Sequence, residues 1–275
     1  MSDTNKIFFT GALGRIGSKV LPPLAKSHSI YATDLVTSSI ANIPVTAVDF
    51  TDFESLLDHL EGCDTIVHSA IASIWQFADL EELKVGLSRD RQHEFNQLEV
   101  KINVSGTLNL LEAAVRKNIR KFVFLSSMTA VLGDPGITSP DQYPAPTNSY
   151  ACTKLFGEQC GFAFQRQHPM QFLALRIGQP YPIGHWKEHQ WINNPRSRGM
   201  LVTLPDIARA IDAALNNSSV HYGIYHVVSH SDSLHTSLQQ GQQIQFTPQD
   251  YIEPDGAIRP ATPQEIQQSL ALTTS

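Results

Sequence analysis

The chain begins with a short apolar run at 6–9, Lys-Ile-Phe-Phe, then a glycine-rich turn, then Ser18-Lys19-Val20-Leu21 at the start of a helical pattern. Compact apolar runs bounded by turn residues predict parallel strands buried on both faces. The same kind of run recurs at 29–33, 45–48, 65–70, 121–125 and 172–176, and again at 222–228. Amphipathic stretches at 104–114, from 153 to about 166, and from Leu204 onward separate or follow them. Alternating strands and helices predict an α/β fold, a doubly wound parallel sheet with a small C-terminal substrate-binding portion. We expect a single domain over 1–275, with substrate-binding elements mainly in 177–203 and 231–275. The tail from Ser237 is rich in glutamine and turn residues (Gln239-Gln240-Gly241-Gln242-Gln243), which predicts an irregular flap or arm.

Composition narrows the classes. A chain of 275 residues can bury a sizeable core. Its net charge of −6 is modest, and no basic tract suggests a nucleic-acid partner. There is no apolar run of about 18 residues to suggest a membrane span, and residues 1–6 lack the apolar stretch of a secretory signal. Cys63, Cys152 and Cys160 form neither a CxxC pair nor an even framework, which fits a reducing cytoplasm.

The candidate chemistry starts at Thr10-Gly11-Ala12-Leu13-Gly14-Arg15-Ile16-Gly17, between the first strand and the first helix. Gly11 permits a tight turn, Gly14 lets the backbone approach a pyrophosphate, and Gly17 allows close helix packing, with the anion held on helix N-terminal amides. Leu13, Arg15 and Ile16 complete this cradle. A dinucleotide site also needs an acidic residue about 20 residues further on, and Asp34 supplies it. Its carboxylate accepts from the ribose hydroxyls and repels a 2′-phosphate, while Leu35-Val36-Thr37 offers no arginine to hold one, so the expected cofactor is NAD. Asp49 and Phe50 end the next strand where the adenine edge would lie. Ser69, Ala70 and Ile71 follow the strand after that.

A second motif, Tyr150-Ala151-Cys152-Thr153-Lys154, carries proton chemistry. Oxidising an alcohol requires a base, and a free tyrosine with a pKa near 10 is too weakly ionised at neutral pH. One helical turn apart, Tyr150 and Lys154 share a face, so the ammonium and a positive nicotinamide can favour the phenolate while Lys154 also holds the ribose. Ser126 and Ser127 leave a strand at its carboxyl end, where open α/β sheets bind ligands.

Taken together, Thr10 to Gly17, Asp34, Asn103-Val104-Ser105-Gly106-Thr107, Ser126-Ser127, Tyr150/Lys154 with Gly157-Glu158, and Arg176-Ile177-Gly178 resemble the extended short-chain dehydrogenases/reductases. Their NAD-dependent epimerase/dehydratase group is matched over roughly residues 6 to 230. The resemblance implies a Rossmann-like fold with Tyr150, Lys154, Ser127 and Asn103 as catalytic residues, Asn103 orienting a water near Lys154. The family's usual Ser/Thr position, counted back from Gly133, falls on Met128. Uronate dehydrogenase-like members instead resemble this chain with Ser127 as the hydroxyl, Ser126 or Thr129 being alternatives. In those members the strand-end arginine, here Arg176, binds a substrate carboxylate. Ser127, Met128, Thr129, Arg176 and Gln179 are thus the expected substrate contacts. Met128 and Thr129 stand where uronate-type members carry Asn-His.

Two histidine patterns have spacings that bear on metal binding. His185-Trp186-Lys187-Glu188-His189 matches an HxxEH string of zinc peptidases but lacks an amphipathic helical frame. His226 and His230 lie on a strand pattern about 13 Å apart. No metal is expected. The long segment 72–101, with Ile74-Trp75-Gln76-Phe77 and a charged helical pattern, suits either a lid or an oligomer surface, and related enzymes dimerise through this helix and the Tyr/Lys helix. The sequence therefore predicts a cytoplasmic, homodimeric NAD-dependent oxidoreductase or epimerase acting on a secondary alcohol or lactol of a small sugar, sugar acid or polar carbonyl compound. The alternatives are a nucleotide-sugar epimerase/dehydratase and a non-catalytic NAD-sensing protein.

Overall fold

The computed structural model describes residues 6–133 and 136–272. Strand β1 (Lys6–Thr10) leads to helix α1 (Gly17–Leu24), and β2 (Ser29–Asp34) returns parallel to β1 with Lys6 level with Ser29. Next come β3 (Ser38–Ile40), β4 (Ile43–Ala47), α2 (Phe53–His59) and β5 (Thr65–His68). The long segment after β5 folds as α3 (Ile74–Phe77), α4 (Leu80–Val85) and α5 (Arg89–Glu99). A π-helical stretch, Val100–Gly106, carries α5 into α6 (Thr107–Arg116). Then follow β6 (Lys121–Ser127), α7 (Ser149–Gln167), β7 (Gln171–Ile177) and β8 (Gln179–Tyr181). The remaining elements are α8 (Glu188–Asn193), α9 (Pro195–Arg198), β9 (Leu201–Thr203), α10 (Leu204–Asn216), β10 (Tyr222–Val227), β11 (Asp250–Ile252), β12 (Ile258–Pro260) and α11 (Pro263–Leu270).

Eight strands form the main sheet in the order β10-β7-β6-β5-β1-β2-β4-β3, and within it β3 pairs antiparallel to β4. The order reverses beside β1, which makes the carboxyl ends of β1 and β5 a topological switch point. Successive residues of β1 feed opposite cores. Ile7 and Phe9 pack with Val20 and Leu21 of α1 and Ile207 and Ile211 of α10. Phe8 packs on the other face with Leu56 of α2, Leu110 and Leu111 of α6, and Phe122, Phe124 and Phe172. Burial on both faces is why these strands read as unbroken apolar runs rather than alternating ones.

Three features depart from the sequence expectations. The strand expected at 45–48 is the second arm of a hairpin whose turn residues, Ala41 and Asn42, both have positive φ (47° and 68°). That backbone belongs to a two-residue I′-like turn, which alanine seldom signals. The helix expected at 104–114 begins within the π-helical stretch. The tail is more ordered than expected. Ile244 and Phe246 enter the core beneath α10, β11 and β12 pair as a hairpin, and α11 is capped by Thr262 and Glu265. Its anchor is Asp206, fully buried at the start of α10, which accepts from Ser229 Oγ (2.6 Å) and from the amides of Gln249 (2.8 Å) and Asp250 (3.2 Å).

Helix α7 is fixed to the sheet by a buried ion pair. Arg176 on β7, 2% exposed, donates from Nε and Nη2 to the two carboxylate oxygens of Glu158 at 2.9 and 2.8 Å. Glu158 also accepts from Ser126 Oγ at 2.5 Å, and Arg176 Nη1 reaches the Pro140 carbonyl at 3.3 Å. Removing one partner strands a charge in a dry site. Arg176→Leu should lower the unfolding free energy by about 3–5 kcal/mol in urea titrations, and the double change Arg176→Leu/Glu158→Leu should recover much of that loss. A loss from the single change below about 1 kcal/mol, the range of a surface pair, would count against this assignment.

Candidate active site

A cleft of about 770 Å³ opens over the carboxyl ends of β1, β2, β4, β5, β6 and β7. Of the residues singled out from the sequence, Gly11, Gly14, Arg15, Ile16, Asp34, Asp49, Phe50, Ser69, Ala70, Ile71, Ser127, Thr129, Tyr150, Lys154 and Gln179 line it. No described residue of 231–272 does, so that half of the expected C-terminal substrate portion packs elsewhere.

The glycine turn has the geometry a dinucleotide needs. Gly11 has φ +73°, and a Cβ there would lie 2.7 Å from the Ala70 amide nitrogen. A Cβ on Gly17 would lie 2.1 Å from the Gly11 carbonyl oxygen. Neither position tolerates a side chain, so the turn stays tight. Asp34 accepts from the amides of Leu13 and Leu35, each at 2.8 Å, which ties the loop to the end of β2 and leaves carboxylate lone pairs for a ribose. Asp49 accepts from Thr51 N (2.9 Å) and Thr51 Oγ1 (2.7 Å). The Phe50 ring packs on Gly106 and lies 5.4 Å from the His68 ring. The residues present fit NAD.

Tyr150 and Lys154 project from the first turns of α7, whose N-cap is Asn148, accepting from Ala151 N at 2.8 Å. Lys154 Nζ donates to the Leu125 carbonyl at 2.7 Å and lies 4.8 Å above the Phe124 ring and 5.8 Å from the Tyr150 ring. Burial pushes Lys154 down to about 7, with Glu158 opposing. Burial likewise pushes Tyr150 up to about 12, while a hydrogen bond with Ser127 and the charge of Arg15 draw it down. Burial is the largest cause at both groups and disfavours the charged form of each, so the expected help to the phenolate needs the positive nicotinamide as well as the ammonium.

Ser127 is the hydroxyl in reach of Tyr150. Its Oγ accepts from Thr129 N at 3.2 Å and Thr129 Oγ1 at 2.9 Å, so its own proton is left to donate elsewhere. Ser126 is committed to Glu158.

Five expected site residues do not line the cleft: Leu13 and Gly17, which belong to the glycine turn, and Arg176, Met128 and Asn103. Arg176 is locked on Glu158 and cannot also meet a substrate carboxylate. Met128, 2% exposed, packs with Val131, Met200, Val228 and Leu238, as its apolar side chain dictates. Asn103 is buried, with its side-chain amide engaged on both sides. Its Oδ1 accepts from Ala72 N at 2.8 Å and its Nδ2 donates to Thr153 Oγ1 at 3.2 Å, joining the loop after β5 to α7.

The long segment, which the sequence offers as a lid or an oligomer surface, lines the cleft with Trp75, Gln76, Gln92 and Glu99, residues the sequence does not single out for the site. The Arg15 guanidinium lies 5.0 Å over the Trp75 ring, and His185 meets Trp75 edge-on at 4.3 Å and stacks on Trp191 at 4.6 Å. The HxxEH string thus places His185 in an aromatic stack that ties the long segment to the chain after β8. His226 and His230 are buried, on Thr236 Oγ1 (2.6 Å) and the Pro248 carbonyl (2.9 Å).

A family model for the NAD-dependent epimerase/dehydratase family matches residues 7–193. The chain is 26% identical over 190 residues to an L-arabinose 1-dehydrogenase (NAD(P)(+)) of Haloferax volcanii, covering 63% of this chain and 66% of that one. It is 22% identical over 259 residues to a uronate dehydrogenase of Pseudomonas syringae pv. tomato, covering 90% and 83%. It spans about half the length of mycobacterial steroid dehydrogenases that it also matches. The structure of uronate dehydrogenase from Agrobacterium tumefaciens shares the fold, with a TM-score of 0.72 at 21% identity over 90% of this chain and 86% of that one. With the glycine cradle, Asp34 and the Tyr150/Lys154 wall in one cleft, the chain belongs to the NAD-dependent epimerase/dehydratase family, and NAD is its cofactor.

Proposed function

We propose that the protein is an NAD-dependent oxidoreductase or epimerase acting on a secondary alcohol or lactol of a small sugar or polar carbonyl compound. The observation that carries this reading is that Ser127, Tyr150 and Lys154 line one cleft together with the glycine turn and Asp34. NAD, when bound, supplies the hydride acceptor and a positive ring beside the phenol. Ser127 Oγ and Tyr150 Oη hold the substrate oxygen between them, and Tyr150 Oη takes its proton on oxidation or returns it on reduction. Lys154 Nζ, one turn along, favours the phenolate when charged and meets the ribose. Gln76, Gln92, Gln179 and Thr129 offer neutral donors and acceptors suited to hydroxyl groups. With Arg176 locked in its ion pair, the cleft favours a neutral sugar over a sugar acid. A cytoplasmic homodimer through α5 and α7 belongs to the same reading, supported by Val100, 50% exposed where α5 ends.

The test is a screen of sugars, sugar acids and nucleotide sugars for NADH formation, with product analysis for epimers. No turnover of free sugars beside brisk turnover of nucleotide sugars would replace this reading with the nucleotide-sugar one.

Calorimetric titration should show NAD binding much more tightly than NADP, and Asp34→Asn should narrow that gap. The amide keeps an acceptor for Leu13 N but removes the charge that repels a 2′-phosphate. NADP preferred by the unaltered protein would sink the assignment.

Tyr150→Phe should remove nearly all turnover while NAD affinity stays within about twofold, since the change deletes one oxygen from the proton path. Lys154→Ala should damage both turnover and NAD binding. Near-normal rates in Tyr150→Phe would mean that another group takes the proton.

A further inference from the structure

Glu99 closes α5 and is 1% exposed, with no cation paired to it among the described residues. Its Oε2 accepts from Ser149 Oγ at 2.7 Å, and its Oε1 is buried with no partner. The bond is one of two matching rungs. One turn further on, Asn103 Nδ2 donates to Thr153 Oγ1 at 3.2 Å. Ser149 and Thr153 each immediately precede a reactive residue, Tyr150 and Lys154. Successive residues of a helix are turned by about 100°. Holding 149 and 153 against α5 therefore turns 150 and 154 toward the cleft. From the end of α5, through the π-helical segment starting at Val100, to the start of α6, Glu99, Asn103 and Thr107 meet Ser149, Thr153 and His68 in turn.

We propose that Glu99 is a positioning residue for the Tyr150/Lys154 pair. Through Ser149 it holds the first turn of α7, and its charge adds to what disfavours the Tyr150 phenolate. The proposal rests on the reading of Tyr150 as the proton acceptor. Burial pushes the Glu99 carboxyl up, Ser149 opposing, and Glu99 in turn pushes Tyr150 up. Two anions in one dry wall disfavour each other. The other charged groups along the cleft are Lys154 on α7, Arg15 in the glycine turn and Lys101 beside Glu99, with Asp34 and Asp49 at the strand ends. Of these, Arg15 draws Tyr150 down.

Glu99→Gln keeps an acceptor for Ser149 and deletes the charge. With whichever sugar the screen identifies, the acid limb of the pH–rate profile for oxidation should move down by about half a unit, a roughly threefold gain in rate below the wild-type limb. Glu99→Ala and Ser149→Ala lose the rung, so the first turn of α7, beyond the Glu158 grip, loses one of its holds and Lys154 is placed less firmly. Both should weaken NADH binding about tenfold, or 1.4 kcal/mol, by fluorescence titration, whereas Glu99→Gln should bind NADH as the unaltered protein does. Thermal melts identify any variant that fails to fold, and Ser149→Ala is the milder of the two. A Glu99→Gln profile superposing on wild type, or wild-type NADH affinity in folded Ser149→Ala, overturns the proposal. An unaltered protein that binds NADH but oxidises no sugar would instead overturn the functional reading, and the NADH titrations would still decide the role of Glu99.

Discussion

The seating of α7 on the sheet is the constraint on which the rest of the site depends. At Gly157 and Gly161 the helix has no side chains, and a Cβ at either would come within 2.4 Å of the Phe124 ring or 2.1 Å of the Phe172 ring. The backbone can therefore lie directly on two phenylalanines of the sheet. Between those glycines, Glu158 grips Arg176 and Ser126, which sets the height and direction of the helix. An interior this dry makes an ion pair costly to break and expensive to build, so its value lies in specifying one arrangement as much as in stability. Everything N-terminal to that grip, including Tyr150 and Lys154, inherits its position.

The same dryness accounts for the electrostatics. Lys154 lies over the ring of Phe124 and donates a hydrogen bond to the Leu125 carbonyl, but burial disfavours its charged form. Burial also disfavours the Tyr150 phenolate. Charge on the pair is thus sensitive to a ligand that brings compensating charge, which suits chemistry that must exclude water.

The cofactor half and the substrate half of the cleft are physically joined. Arg15 belongs to the glycine turn, yet its guanidinium lies on Trp75 of the long segment, and Trp75 meets His185 and through it Trp191 from the chain after β8. Three stretches far apart in sequence thus make one aromatic arch beside the cleft.

The sequence by itself determined the parts whose chemistry is local. Apolar runs gave the buried strands because both faces of the sheet are covered. Gly11 and Gly17 were legible because only glycine fits where a Cβ would strike a carbonyl or an amide. Asp34 was legible from its distance along the chain, and Tyr150 and Lys154 from one turn of helix. The tertiary structure alone decided which polar residues were free to act. Arg176 at the end of a strand looks like a substrate ligand until Glu158, on another element, occupies it. Met128 falls where a hydroxyl is common and is drawn into an apolar pocket built from distant segments. Asn103 and Glu99 are helix residues whose partners, Thr153 and Ser149, lie 50 positions away, and the π-helical turn that begins between them leaves no periodic signature. A side chain's type follows from the sequence, but whether its donors and acceptors are already satisfied depends on non-local neighbours, which only the folded chain brings together.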